Sequence, residues 1–410
     1  MLLKLLLFKY TAFLLLILPL SCGSQIDKQK DGEEVEEVIE PKTLRLGANL
    51  TDNYLSFLEG KKVAIVANQT SVIFKEKSHT HLVDSLLSLG VTIQKVFAPE
   101  HGFRGKADAG EHVADGIDTK TGLPLLSLHG KNRKPSPEQL EGVDLVIFDI
   151  QDVGARFYTY ISTLHYVMEA CAEAKIPVMV LDRPNPNGHY VDGPILEPEF
   201  KSFLGMHPIP IVHGMTIGEY AQLINGEGWL KDQMQSELHV VSMENYTHET
   251  AYSLPIKPSP NLPNDVAINL YPSICFFEQT PASLGRGTDM QFQILGVPYG
   301  EDLYDFSFTP QPNEGSTYPK HENVTVWGLD LRNSERLSEI KLDWLIDFYK
   351  QHLEHGDEKP FFWKYFYRLS GTKKLEAQIQ SGMTAEQIKA TWQEDLEKFK
   401  KTREKYLLYP

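Results

Sequence analysis

Short apolar runs rich in Val and Ile recur along the chain, each parted from the next by a stretch of helical spacing, and this alternation limits the possible folds more than any other feature. A strand covering one side of a core alternates apolar with polar residues. A run that is apolar throughout has to be covered on both faces, as in a parallel sheet with crossover helices. Runs that are mainly apolar occupy residues 62–67, 91–98, 123–128, 144–149 and 176–182, with shorter candidates at 210–213 and 238–243. Helical spacing marks residues 80–89 and 157–175. The expected class is α/β, a Rossmann-like, mostly parallel sheet with helices on both faces. After about residue 258 the pattern turns Pro-rich and aromatic, with one further strand at 324–331 and amphipathic helices at 375–379 and 385–403. Residues 42–258 are therefore expected to form the Rossmann-like catalytic domain, and residues 259–410 a smaller α+β domain that completes a cleft.

The N-terminus has a different character. Residues 1–21 join Lys4 and Lys9 to an apolar run from Thr11 to Leu20, as a signal peptide does. A membrane span needs about 20 apolar residues, and Lys9 interrupts this stretch. Cys22, between Ser21 and Gly23, stands where a bacterial lipoprotein is cut and acylated. Residues 22–41, with the acidic run Glu33, Glu34, Glu36 and Glu37, are too charged to bury a core and read as a lipid anchor followed by a flexible tether. An exported protein held by lipid in the bacterial envelope, periplasmic or at the outer membrane, is the expectation. The formal net charge of -15 argues against a nucleic-acid partner. Cys171 and Cys275, left once Cys22 is spent, imply no disulfide scaffold.

Ligands of open parallel sheets bind beyond the carboxyl ends of the strands, and there the sequence places polar groups repeatedly. The run at 62–67 ends in Asn68, and that at 91–98 in Pro99, Glu100, His101 and Gly102. The run at 144–149 continues through Asp149, Asp152 and Arg156, and that at 176–182 through Asp182, Arg183 and Asn185. The run at 210–213 likewise ends in His213. Any one such ending is usually a cap or a turn; five together favour a site. No glycine-rich dinucleotide motif, phosphate loop, His-Glu-x-x-His, clustered Cys or Gly-x-Ser-x-Gly elbow occurs, so neither a cofactor nor a metal is implied. Carboxylates remain. Glu100 leads them, held at a strand end between a proline that restricts the backbone and a His-Gly pair that lets it turn. An acid placed so against low-dielectric walls can donate a proton at neutral pH. Asp149, Asp152 and Asp182 offer a second carboxylate, and Arg104, Arg156, Arg183 and Arg286 could grip an anionic substrate.

From about Leu55 to Pro410 these segments together resemble the exo-β-N-acetylmuramidase family, long known only as a domain of unknown function. The resemblance is carried by the Phe97–Gly105 stretch, the Phe148–Tyr160 stretch, Leu181–Pro186, His213–Thr216, Pro258–Pro263 and Gly285–Thr288. Leu284 and Met290 depart from the family's frequent residues near Arg286. The resemblance implies release of N-acetylmuramic acid from the non-reducing ends of peptidoglycan fragments, with the site between a Rossmann-like domain and a smaller one. Glu100 matches the family's proposed catalytic glutamate. The candidate catalytic set is thus Glu100, Asp149 and Asp152. The candidate binding set is Asn68, His101, Arg104, Arg156, Tyr158, Asp182, Arg183, Asn185, His213 and Arg286. The rival reading is an envelope lipoprotein that captures muropeptides without cleaving them.

Overall fold

The computed structural model describes residues 43–104, 115–356 and 358–410. The leader, Cys22 and the tether lie outside the described residues. The strands, in chain order, are β1 (Lys62–Ala67), β2 (Val72–Lys75), β3 (Ser78–His81), β4 (Thr92–Ala98), β5 (Gly116–Ile117) and β6 (Pro124–Ser127). They continue with β7 (Leu145–Asp149), β8 (Val178–Leu181), β9 (Leu238–Val241), β10 (Ile294–Val297), β11 (Phe306–Phe308) and β12 (Val326–Asp330). A seven-stranded sheet runs in the order β5-β6-β4-β1-β7-β8-β9, and every pairing except β5 with β6 is parallel. Numbering only its parallel strands in chain order gives 3-2-1-4-5-6, the doubly wound order whose direction reverses between β1 and β7.

The apolar runs become this sheet because both of its faces are covered. The period of two sends Val63, Ile65 and Ala67 of β1 into one core layer with Leu145, Ile147, Met179 and Leu181. Ala64 and Val66 go into the other with Val146, Phe148, Val178 and Val180. The helix Tyr160–Ala174 lies in that second layer through Ile161, Leu164, Val167 and Met168.

Several boundaries differ from the sequence expectation. The helix expected over 80–89 begins at Leu82, because Ser78–His81 pairs with Val72–Lys75 as an antiparallel hairpin. The candidate strand at 210–213 is no strand: Val212 makes only isolated bridges to Ala155 and Asp192. The helix expected over 385–403 is two helices, Ala385–Ala390 and Gln393–Arg403, parted where Trp392 turns inward and donates its indole N–H to Asp192 at 3.1 Å.

The C-terminal part is smaller and mixed, with β10 and β11 flanking β12 in an antiparallel sheet and a run of helices from Asp343 onward. Residues 43–410 nevertheless form one compact unit. A single apolar cluster runs from Val66 and Phe148 through Tyr271 and Phe276 to Phe366 and Leu396. The chain end returns to the sheet, where the Tyr409 hydroxyl donates to Asp182 at 2.7 Å and the Pro410 carbonyl accepts from the His248 amide at 2.9 Å.

Candidate active site

The crevice above the reversal between β1 and β7 is where this sheet order should take a ligand, but here side chains fill it. Asp149, the last residue of β7, is wholly buried and receives two hydrogen bonds from Arg183, at 2.6 Å from Nε and 2.9 Å from Nη2. Burial pushes the Asp149 pKa up, and Arg183 pulls it back. Arg183 also donates to the Val72 carbonyl at 3.1 Å. Asn68, after β1, accepts from the Thr70 amide and hydroxyl and donates to the Tyr160 hydroxyl at 2.9 Å. Asp182, after β8, sits at the start of the helix Ile217–Gly226, accepting from the Gly218 amide and the Thr216 hydroxyl, each at 2.8 Å. Burial raises its pKa to about 6. Asn185 donates to the Met215 carbonyl at 2.9 Å.

Asp152 and His213 lie buried in the same layer. Oδ2 of Asp152 accepts from the Gly154 amide at 2.7 Å and stands 3.9 Å from His213 Nε2. Burial drives their pKa values in opposite senses, Asp152 up to about 7 and His213 down to about 3, so each is pressed toward its neutral form.

Beside this filled layer a cavity of about 310 Å³ opens between the end of β4, the start of the helix Tyr160–Ala174 and the C-terminal part. Glu100 reaches it because the chain reverses directly after β4. His101 and Gly102 both take positive φ, 69° and 74°, and the Gly102 amide closes the turn on the Pro99 carbonyl at 3.0 Å. A histidine in that region is strained by about 1–3 kcal/mol, a cost tolerated mostly where function needs the geometry. The Thr159 hydroxyl donates to Glu100 Oε2 at 3.3 Å, and the Tyr160 hydroxyl approaches the Glu100 carbonyl at 3.5 Å. Tyr158 forms part of the wall, its ring edge-on to Tyr160 and its hydroxyl bound to the Pro258 carbonyl at 2.8 Å.

The facing wall holds Glu278 and Arg286. Two guanidinium nitrogens of Arg286, Nε and Nη2, lie 2.7 Å from Glu278 Oε1, and the group packs over the Phe292 ring with its centre 5.1 Å away. Burial works against the Arg286 charge, but the Glu278 carboxylate outweighs it and the pKa rises. Gly285 gives the approach its shape: its φ is 82°, and a Cβ there would stand 2.6 Å from the Met290 carbonyl oxygen. Behind Glu278, Lys320 donates to the carbonyls of Phe277, Glu278, Thr280 and Ala282, closing the end of the 3-10 helix Cys275–Gln279. Arg368 and Tyr365 complete the rim.

Of the residues proposed from sequence, Glu100, His101, Tyr158 and Arg286 line the cavity. Asn68 stands one residue behind it, through Tyr160. Asp149 and Asp152, expected beside Glu100 as catalytic carboxylates, do not line it; the second cavity carboxylate is Glu278. Asp182, Arg183, Asn185 and His213 belong to the buried polar layer and also lie off the cavity. Arg104 turns instead to Asp118, at 3.0 Å and 2.7 Å, and to Asp84. Arg156 is wholly buried, its guanidinium donating to the carbonyls of Pro194, Ile209, Leu369 and Ser370. Glu278 and Arg368, which also line the cavity, were not among the residues proposed from sequence; the visible signal for the first was a lone acid directly after the apolar stretch Cys275–Phe277. Among the described residues no group of three His, Cys, Asp or Glu is placed to hold a metal ion.

An acid presented at a strand end on a small cavity of aromatic rings and paired charges makes this an α/β protein with an enzyme-like ligand site, and its class, a glycoside hydrolase, follows from its relatives. The chain belongs to the exo-beta-N-acetylmuramidase NamZ family: the N-terminal family model matches residues 63–266 and the C-terminal model residues 269–409. It is 38% identical over 390 residues to the peptidoglycan beta-N-acetylmuramidase NamZ of Bacillus subtilis (strain 168), spanning 88% of this chain and 90% of that protein. Two crystal structures of DUF1343 family proteins from Bacteroides fragilis NCTC 9343 share the fold. One is 46% identical with a TM-score of 0.81, the other 28% identical with a TM-score of 0.77, and each match covers 90% of this chain and 99% of the other.

Proposed function

We propose that this cavity removes N-acetylmuramic acid from the non-reducing ends of peptidoglycan fragments, with Glu100 as the proton donor. The observation that carries the reading is the placement of Glu100, on a strained turn after β4, in a cavity walled by Phe157, Tyr158, Tyr160 and Tyr271. As the bond from the sugar C1 to the glycosidic oxygen breaks, the Glu100 proton passes to that oxygen and a sugar unit leaves as the alcohol. Water supplies the hydroxyl to C1, and its remaining proton restores the acid. Aromatic walls suit the apolar faces of a pyranose ring. A volume near the lower end of the ~300–1,000 Å³ usual for small-ligand pockets suits one terminal sugar better than a strand laid across the site. Family membership supports the same substrate class.

The test is turnover of a nitrophenyl muramic acid glycoside and of a muramic acid–glucosamine disaccharide, with the released sugar quantified. Retained binding without release of the sugar would leave a capture protein and end the proposal. The envelope location rests on the leader and Cys22. Acylation there would give stable anchoring through two or more chains, so Cys22→Ala should move the protein from membrane to soluble fractions.

A further inference from the structure

We propose that Arg368, stacked on Tyr365 at the rim of the Glu100 cavity, binds the lactyl carboxylate that distinguishes muramic acid from N-acetylglucosamine. The inference rests on the muramidase reading of the cavity and assigns the residue that selects its substrate.

The four arginines expected from sequence to grip the substrate have other partners. Arg104 is tied to Asp118, Arg183 to Asp149, and Arg156 to backbone carbonyls, all away from the cavity. Arg286 reaches the cavity, but Glu278 at 2.7 Å already meets its charge. Arg368 also lines the cavity, is exposed, and has no ion pair with a carboxylate among the described residues. Among the described residues of the wall, Glu278 and Arg286 offset each other. Arg368 is the wall guanidinium that no carboxylate offsets among the described residues, which suits a substrate bearing an anion.

The geometry favours a preformed receptor over a swinging surface side chain. The Arg368 guanidinium lies over the Tyr365 ring with its centre 4.2 Å away. A guanidinium held over a ring by the cation–π attraction keeps N–H groups for a forked contact to a carboxylate. The backbone is fixed as well. Arg368 sits on the short helix Phe366–Ser370, and the next two carbonyls, of Leu369 and Ser370, receive Arg156 Nη2 at 2.9 Å and 2.7 Å. Arg156 is thereby a positioning residue: from the α/β part it holds the segment that presents Arg368.

The experiment uses the full chain and three nitrophenyl glycosides: muramic acid, its lactyl methyl ester, and N-acetylglucosamine. The parent protein should prefer the free acid. Arg368→Ala should lower kcat/KM on the acid by about 10- to 100-fold, the range of a charge-assisted contact, mainly through KM. It should lower activity on the ester and the glucosamine glycoside far less than on the acid, and Arg368→Lys should recover part of the loss. The comparison of acid with ester inside each variant separates recognition from any general damage to the fold. A parent protein that treats acid and ester alike, or an Arg368→Ala variant that keeps the parental preference, overturns the assignment while the muramidase reading stands. A parent protein that cleaves none of the three overturns both.

Discussion

Two polar regions sit side by side at the carboxyl ends of the strands, and they have opposite fates. In the layer above β1, β7 and β8 nearly every charge is closed on a partner, Asp149 on Arg183 and Asp182 on the helix start and Tyr409. In the cavity beyond β4 the carboxyl of Glu100 and the guanidinium of Arg368 face a space large enough for a ligand. Both regions look alike in the chain, as acids and arginines after apolar runs. Closed pairs of this kind stiffen the rim and hold the turns in place, whereas chemistry needs groups that a ligand can reach. Activity should therefore be sensitive to the cavity, and stability to the filled layer.

The largest effect expected is at Glu100. General acid catalysis contributes about 10²- to 10⁴-fold, so Glu100→Gln should lose activity on the natural disaccharide by that range while its urea midpoint stays near the parent's. A nitrophenyl leaving group needs less protonation and should be spared in part. Near-parental turnover of the disaccharide would remove Glu100 from the mechanism.

Asp149→Ala tests the other side. It leaves a buried guanidinium without its countercharge, which costs about 3–5 kcal/mol, so urea unfolding should shift strongly while the molecules that remain folded keep their turnover. Loss of activity without loss of stability would return Asp149 to the catalytic set.

Asp152 should reveal itself through pH. Its folded pKa of about 7 lies above the ordinary carboxylate value, so between about pH 4 and 7 the folded state holds a proton that the unfolded chain has released. Stability then falls as pH rises through this window, by up to about 1.4 kcal/mol per unit. Asp152→Asn removes that slope, so variant and parent should diverge in favour of the variant from pH 4 to 7 and run parallel above it. His213, with its pKa lowered to about 3, loses stability in the opposite direction as pH falls below the ordinary histidine value. Asp182 acts in the same sense as Asp152. To the extent that both contribute equally to the two proteins, their terms cancel in the difference curve. Parallel curves throughout would show that burial does not hold Asp152 protonated.

The smallest effect belongs to Arg104. Its pairs with Asp118 and Asp84 are partly solvated, and such pairs contribute about 1 kcal/mol or less. Arg104→Ala should lower the thermal midpoint slightly and leave kcat/KM on muramic acid glycosides unchanged. A marked rise in KM would move Arg104 from the structural group to the binding group.

Much of the fold was legible because burial on two faces leaves a local mark. The runs that became β1, β7 and β8 are apolar at every position or nearly so, and that pattern needs no knowledge of distant residues; β4 carries Gln94 and Lys95 and is continuously apolar only over its last three residues. The Pro99-Glu100-His101-Gly102 turn was legible for a similar reason: the residues that force the reversal adjoin the acid it presents. The hairpin of β2 and β3 left less trace, since its second strand is the polar segment Ser78–His81.

What the sequence determined by itself was therefore the sheet, the rim on which polar groups gather, and Glu100 as the leading acid. The tertiary structure decided which of those groups close on one another and which remain open to a ligand. Asp149 meets Arg183 across 34 positions, and Arg156 meets Ser370 across 214. Glu278 and Arg368 join the Glu100 cavity from the C-terminal part. Residue spacing encodes which face of a strand or helix a side chain occupies, because backbone periodicity is local. A charge is satisfied or left available by whatever stands within a few ångströms of it, and the packing of distant segments sets that neighbour.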